Sequence, residues 1–384
     1  MSQEFIYLDH AAATPVDPRV AEAMQPYLQA DFFNPYSPYA PAVAVSHKYE
    51  EAKARIAQII GAQSTEIVIT AGATESINLA FASVDGAVVT TAIEHEAVLA
   101  CARAKEHQIV DVGLSGVVDP EVIKAAINDD TELVSVALAN NELGTIQPIR
   151  KLSEVVAAER RRRLEKGIDR PIFLHCDASQ GASQLDISVA RLGVDMLTLN
   201  SGKMYGPKQV GLLWHSNEVI VQPMVVGGGQ EMGLRSGTEN VAGVVGFARA
   251  LELATKNKKS EVLRLSKLRD GLERKLTEEF PQAEVLGSAK NRLAGHLNIA
   301  FAGLDGERLV FALENEDVLV ATGSACSANK GKRSHVLSAI GLDPKISDGN
   351  IRITLGKLSN EDNIAEAAEK MTKVVAKEFE RVGA

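Results

Sequence analysis

Seven short apolar runs, most of them separated by helical patterns, constrain this chain more than any other feature. EIVIT, AVVTT, QIVDV, ELVSVAL, PIFLHCD, DMLTLN and VGLLWH lie between residues 66 and 215. Each suits a buried strand and is too short for a helix. ATESINLAFAS, EHEAVLACARAK and PIRKLSEVVAAERRRRLEK fall between them with helical spacing. Such alternation predicts an α/β fold with a mostly parallel seven-stranded sheet covered by helices. Aromatic residues make up only 4% of the chain, which fits parallel strands rich in Val, Ile and Leu better than a β-sandwich.

The flanks read differently. VDPRVAEAMQPYL starts a helix, with Asp17 as N-cap and Pro18 at the first helical position. SHKYEEAKARIAQIIGA predicts a second helix that Gly61 stops. At residues 252–262 the texture turns polar, ELATKNKKSEV, before an amphipathic helix striped by Leu265, Leu268, Leu272 and Leu276. HLNIAFA, GERLVFALE, VLVAT, NIRITLG and a closing helix then predict a smaller α+β unit. We therefore expect a large α/β domain over 16–255, and a small α+β domain built from 1–15 and 256–384. The run ERRRR at 159–163 is expected to be a solvated helix face.

Composition narrows the function. A net charge of −9 argues against nucleic acid, which needs a basic footprint. No apolar run of about 18 residues exists to span a membrane. The N-terminus lacks the pattern of a secretory signal, and three cysteines, Cys101, Cys176 and Cys326, are too few and odd for a disulfide framework. A cytoplasmic location is expected.

Ligands of open α/β sheets bind beyond the carboxyl ends of the strands, so the residues after each run matter most. EIVIT is followed by AGATES, where Gly72 brings backbone close and Thr74 stands at a helix N-terminus, a combination that suits a phosphate. His95 follows AVVTT. Asn140 and Asn141 follow ELVSVAL. Asp177 and Gln180 follow PIFLH, and an acid ending a buried strand needs a partner. A metal site from His175, Cys176 and Asp177 is disfavoured because strand alternation turns Cys176 to the other face. DMLTLN leads to SGKMYGPK. That stretch is no Walker loop, since Leu197 and Met204 stand where glycine and a hydroxyl residue are required. GGGQEMGLRSGT has Met232 where a dinucleotide fingerprint needs its third glycine. Together the strand ends offer a phosphate site, an imidazole, a carboxylate and Lys203, the parts pyridoxal phosphate requires.

The motifs YLDHAAATP, ATESINLA, EHEAVL, NNELGTIQPI, HCDASQ, GKMYGPKQVG, GGGQEMGLRSGTEN, TGSACS and IRITLG occur in this order over nearly the whole chain. In this the chain resembles the cysteine desulfurases, fold-type I pyridoxal-phosphate enzymes related to class V aminotransferases. The resemblance implies that the enzyme converts L-cysteine to L-alanine and supplies sulfur for iron–sulfur cluster assembly or thiolation. Lys203 would hold the cofactor as a Schiff base and move the substrate Cα proton. Asp177 would keep the pyridine nitrogen protonated, Gln180 would bond the ring hydroxyl oxygen, and His95 would stack on the ring. Ala73 and Thr74 would bind the phosphate. Thr238 would reach a phosphate in the partner subunit, which implies a homodimer. Asn141, Arg352 and Asn34 would bind substrate, the arginine through its planar fork. Cys326, among small polar residues with Lys330 and Lys332 nearby, would take the sulfur as a persulfide.

Three departures from the family stand out. Gly202 replaces the usual histidine before the lysine, so Asn200 or Ser201 is expected to supply a phosphate contact. NPYSPYAP departs from the family's NP-x-S-x-x-H. The chain ends at FERVGA without the longer tail by which some members dock a scaffold protein, so a sulfur-acceptor or scaffold partner is a weaker implication than the chemistry. Other readings are a selenocysteine lyase, another fold-type I aminotransferase or lyase, and a degenerate subunit kept for partner binding.

Overall fold

A computed structural model describes residues 5–323 and 333–383 of the chain. A short strand, β1 (Ile6–Tyr7), precedes the seven expected runs, which form β2 (Ile67–Thr70), β3 (Ala87–Thr91), β4 (His107–Val110), β5 (Thr131–Ala137), β6 (Phe173–Asp177), β7 (Met196–Asn200) and β8 (Gly211–His215). They make one sheet in the order β2-β8-β7-β6-β5-β3-β4. The strands from β4 to β7 pair in parallel, whereas β8 runs antiparallel to β2 and β7. Parallel strands deliver their carboxyl ends to one edge, and there Asp177 stands opposite Ala137 and Thr198.

Helices cover both faces, and alternate strand residues divide between two cores. Ile67, Ile69, Val134, Val136, Leu174 and Cys176 pack on one side with helix Ala40–Ile60. Val68, Val88, Leu133, Phe173 and Met196 pack on the other with helix Ala73–Ala82. Cys176 is therefore a core residue on the face opposite its neighbours His175 and Asp177.

A further core joins the two ends of the chain. β9 (Ala283–Val285), β10 (His296–Phe301) and β12 (Asn350–Thr354) form an antiparallel sheet in the order β12-β10-β9, while β11 (Val318–Leu319) pairs in parallel with β1. Ile6 and Leu8 pack there with Leu268, Leu272, Ile299, Ile353 and the C-terminal helix Glu361–Val382. Thr354 N–H donates to the Leu8 carbonyl at 2.7 Å, which fixes the N-terminal segment against β12.

Two expectations need correction. The polar stretch 252–262 is no break between elements: it lies inside one 39-residue helix, Val241–Glu279. The helix packs residues 241–254 against the large sheet and Leu265–Leu276 against the second core. Between the two its surface faces water, and residues such as lysine and glutamate propagate a helix there without apolar contact. The ERRRR run is not simply solvated either. Arg163 is 2% exposed. It donates to the carbonyls of Asn128 and Thr131 at 2.8 Å, of Arg170 and Pro171 at 3.0 Å, and to Glu159 at 2.7 Å. Four of its five hydrogen bonds close backbone carbonyls that burial would otherwise leave unpaired, and the fifth goes to the Glu159 carboxylate.

Candidate active site

A cavity of about 250 Å³ opens at the carboxyl edge of the sheet, and Ala73, Thr74, His95, Asn141, Asp177, Gln180, Asn200, Lys203 and Arg352 all line it. Ala11, Ala12, Ala137 and Ala139 supply much of the remaining wall, so little side-chain bulk fills the space between the polar groups.

Each polar group has a local cause for its position. Gly72 caps helix Ala73–Ala82 with φ 130° and no side-chain cap bond, so the first helical N–H groups stay open beside Thr74. A side chain at Gly211 would come within 2.7 Å of the Gly72 Cα, and its absence lets β8 press against this turn. His95 caps helix Glu96–Arg103: its Nδ1 accepts from the Ala97 N–H at 3.1 Å, so the ring proton resides on Nε2. Asp177 ends β6 and accepts from the Ser179 N–H at 2.9 Å. Beneath it His175 bridges Ser135 at 2.8 Å and Thr198 at 2.9 Å. Burial drives the His175 pKa down to about 4, against the pull of Asp177.

Lys203 ends a short 3₁₀ turn, Ser201–Lys203, directly after β7. Thr14 holds that turn, donating to the Gly202 carbonyl at 3.1 Å and accepting from the Tyr205 N–H at 2.9 Å. Lys203 Nζ donates to the carbonyls of Ala11 at 2.9 Å and Ala12 at 2.7 Å, and Gln180 Nε2 donates to the same Ala11 carbonyl at 3.0 Å. The segment DHAAATP thus supplies backbone acceptors for two side chains of the site.

Asn200 and Ser201 part company. Asn200 lines the cavity, and its Oδ1 accepts from the Gly202 N–H at 3.1 Å, leaving the side-chain amide donors for a ligand. Ser201 is fully buried and not a lining residue; its hydroxyl is packed where a side chain on Gly206 would meet it at 2.1 Å. The 3₁₀ turn ends the strand alternation at this point. Asn34 is exposed outside the cavity, its Oδ1 accepting from the Tyr36 N–H. Thr238 is likewise exposed and is not part of this chain's cavity. Cys326 lies outside the described residues.

Three acids around the site went unread in the sequence. Asp9 accepts from Arg352 Nη2 at 2.7 Å. Glu94, beside His95, is 2% exposed and accepts from Thr91 at 2.7 Å and from the Ala137 N–H at 2.9 Å. Burial first, and then the charge of Asp177, push its pKa up to about 8. Glu142, beside Asn141, is fully buried, and burial raises its pKa as well. For Glu94 and Glu142 the sequence signal is EHE and NNELG, where an acid adjoins His95 and Asn141.

Against this geometry the similarities are specific. The model of the family "Aminotransferase class-V" matches residues 6–366. A cysteine desulfurase IscS of Dictyoglomus turgidum is 38% identical, covering 97% of this chain and 95% of the relative. Among solved structures, a NifS-like protein superposes with a TM-score of 0.89 at 32% identity, covering 97% of this chain and all of the other. A structure of SspA in complex with cysteine gives a TM-score of 0.75 at 30% identity over 91% of this chain and 98% of the other. The fold, the strand-end site and these full-length similarities agree: the chain belongs to the class-V aminotransferase family, in the company of its cysteine desulfurases.

Proposed function

We propose that the protein is a pyridoxal-phosphate-dependent cysteine desulfurase that forms L-alanine and leaves the substrate sulfur on Cys326 as a persulfide. One observation carries the reading: a lysine, a buried strand-end carboxylate, an open helix N-terminus and an arginine converge on one cavity. The cofactor fits this donor set. The uncapped first turn at Ala73 and Thr74, with the Asn200 amide, would take its phosphate. Asp177 would take its ring nitrogen, and the alanine-lined walls leave space for a planar ring. When bound, pyridoxal phosphate supplies an electron sink that acidifies the substrate Cα–H and loosens the Cβ–S bond.

The chain's own groups do the rest. Lys203 would anchor the cofactor, and its amine would accept the substrate Cα proton. The Asp177 carboxylate, oriented by the Ser179 N–H, would keep a proton on the ring nitrogen. Asn141 and the Arg352 fork hold the substrate carboxylate. The Cys326 thiolate attacks the substrate sulfur: the S–S bond forms as the C–S bond breaks, and the electron pair stays on carbon, which takes up a proton. Asn200 stands in for a phosphate contact at a chain position where Gly202 contributes no side chain.

A second copy completes the site in this reading. Thr238 is exposed, and the preceding segment carries exposed Ile220, Met224, Val225 and Val226, an apolar patch suited to a homodimer. Among the described residues Cys101 and Cys176 are free thiols, in keeping with the reducing cytoplasm where a persulfide carrier would hand sulfur to an acceptor protein. The test is conversion of cysteine to alanine by the cofactor-loaded protein. Lys203→Ala is expected to abolish both this activity and the visible absorbance that the wild-type protein would gain on loading with the cofactor. Unaltered absorbance in that variant would contradict the anchor.

A further inference from the structure

Glu142 sits where three parts of the site meet. Its peptide group joins it to Arg352, since Arg352 Nη1 donates at 3.2 Å to the Asn141 carbonyl, the one bonded to the Glu142 nitrogen. Its Oε2 accepts from the Ser334 hydroxyl at 2.5 Å. A side chain on Gly323 would come within 2.7 Å of the same oxygen and 3.2 Å of Ser334 Cβ. Gly323 and Ser334 stand close to either end of residues 324–332, the stretch that carries Cys326.

The surroundings fix both sides of this junction. Ala321 and Arg352 exchange backbone bonds, at 3.2 Å from the Ala321 N–H and 2.6 Å from the Arg352 N–H. Ser334 also caps helix His335–Ala339, and His335 Nε2–H donates at 2.9 Å to the Glu94 carbonyl, one residue before His95. The Glu142 N–H donates to Asn140 Oδ1 at 2.9 Å, and the Glu142 carbonyl accepts from Asn298 at 3.3 Å. A buried carboxyl is costly unless it serves as a fixed hydrogen-bond partner, and Glu142 Oε1 has no partner among the described residues. Ordinary packing would be met by an apolar side chain here.

We propose that Glu142 is a positioning residue for sulfur transfer: it bonds Ser334 at one base of the Cys326 segment, packs against Gly323 at the other, and joins both to the Arg352–Asn141 pair. Its role is to hold the nucleophile's attachment points in register with the substrate's carboxylate. The proposal rests on the desulfurase reading, because only that reaction brings Cys326 to a substrate held by Arg352.

The test uses the full-length protein with Glu142→Ala, Glu142→Gln, Ser334→Ala and the Glu142→Ala/Ser334→Ala double variant. In the cofactor-free protein, the rate of Cys326 carboxamidomethylation by iodoacetamide is followed by mass spectrometry, with Cys101 as internal reference. Glu142→Ala and Ser334→Ala are each expected to change the Cys326 rate about threefold or more, without moving Cys101. The double variant should add nothing beyond either single one, as for two partners of one bond. In the loaded enzyme, kcat for cysteine should fall about tenfold from lost alignment, with cofactor affinity unchanged. Glu142→Gln, which keeps an acceptor for Ser334, should restore both readouts. Wild-type alkylation of Cys326 in Glu142→Ala overturns the proposal, as does a Glu142→Ala loss that Gln does not rescue and that cofactor affinity shares. If the wild-type protein makes no alanine, the desulfurase reading fails, and the alkylation rates still decide the role of Glu142.

Discussion

Arg352 donates Nη2–H to Asp9 Oδ1 at 2.7 Å across 343 positions of sequence, and this bond draws the two ends of the chain to the wall of the cavity. The arginine is 2% exposed, held by Asp9 on one side and the Asn141 carbonyl on the other. It is a rigid fork, and a carboxylate would meet it with little further ordering.

Replacing that fork with a flexible point charge is therefore costly. Arg352→Lys should raise the KM for cysteine about tenfold or more, because lysine cannot reproduce the paired geometry. Steady-state kinetics on the loaded enzyme check this, and an unchanged KM would remove Arg352 from substrate binding.

Asn200 and Gly202 make opposite predictions. Asn200→Asp places a carboxylate where a phosphate is proposed to sit, and cofactor affinity should fall by about 1.5–3 kcal/mol, as for a lost bond to a charged group. Gly202→Ala should bind cofactor normally, since a Cβ there meets nothing closer than 3.5 Å. It should gain up to about 0.5–1 kcal/mol of stability from a less free unfolded chain. Titration of cofactor-free protein and thermal melts measure both.

Glu94 links the site to pH. With its pKa raised from 4.5 to about 8 by burial, the folded protein holds this proton more tightly than the unfolded chain. The associated stability is full below about pH 4.5 and falls as pH rises toward about 8. Glu94→Gln, neutral at every pH, should flatten that decline in urea unfolding measured between those limits. Equal slopes for the variant and the wild type would show that Glu94 is ionised at neutral pH.

A buried cluster holds the loop that leads to Thr238. Glu231 accepts from Lys53 at 3.0 Å, from the Ile69 N–H at 2.8 Å and from the Tyr49 hydroxyl, and Glu231 and Met232 both adopt positive φ. Lys53→Met strands a carboxylate that is buried with its partner, and should cost about 3–5 kcal/mol. Glu231→Gln keeps the Tyr49 and Ile69 bonds but leaves the Lys53 charge unpaired, and should destabilise as well. Chemical denaturation compares them.

Much of this architecture was legible before the structure. The seven strands were readable because buried parallel strands are short apolar runs, and the lining residues because parallel strands end at one edge. What stayed hidden has physical reasons. Asp9, Glu94 and Glu142 look like any surface acid until burial is known. Arg163 in ERRRR reads as solvated because sequence does not reveal the loop carbonyls it closes. Ser201 turns inward because a 3₁₀ turn replaces strand alternation after Asn200. The polar stretch 252–262 resembles a linker because a helix crossing between two cores needs no apolar stripe there.

The central claim, sulfur transfer to Cys326, is tested most directly by cysteine turnover with alanine, sulfide and protein-bound sulfur all quantified. The loaded wild-type protein should release alanine and sulfide in equal amounts with reductant, and without it retain sulfur as a persulfide on Cys326. Cys326→Ala should form alanine about 100-fold more slowly, a loss of roughly 2.7 kcal/mol in transition-state stabilisation. A Cys326→Ala variant that makes alanine at the wild-type rate would contradict the assignment.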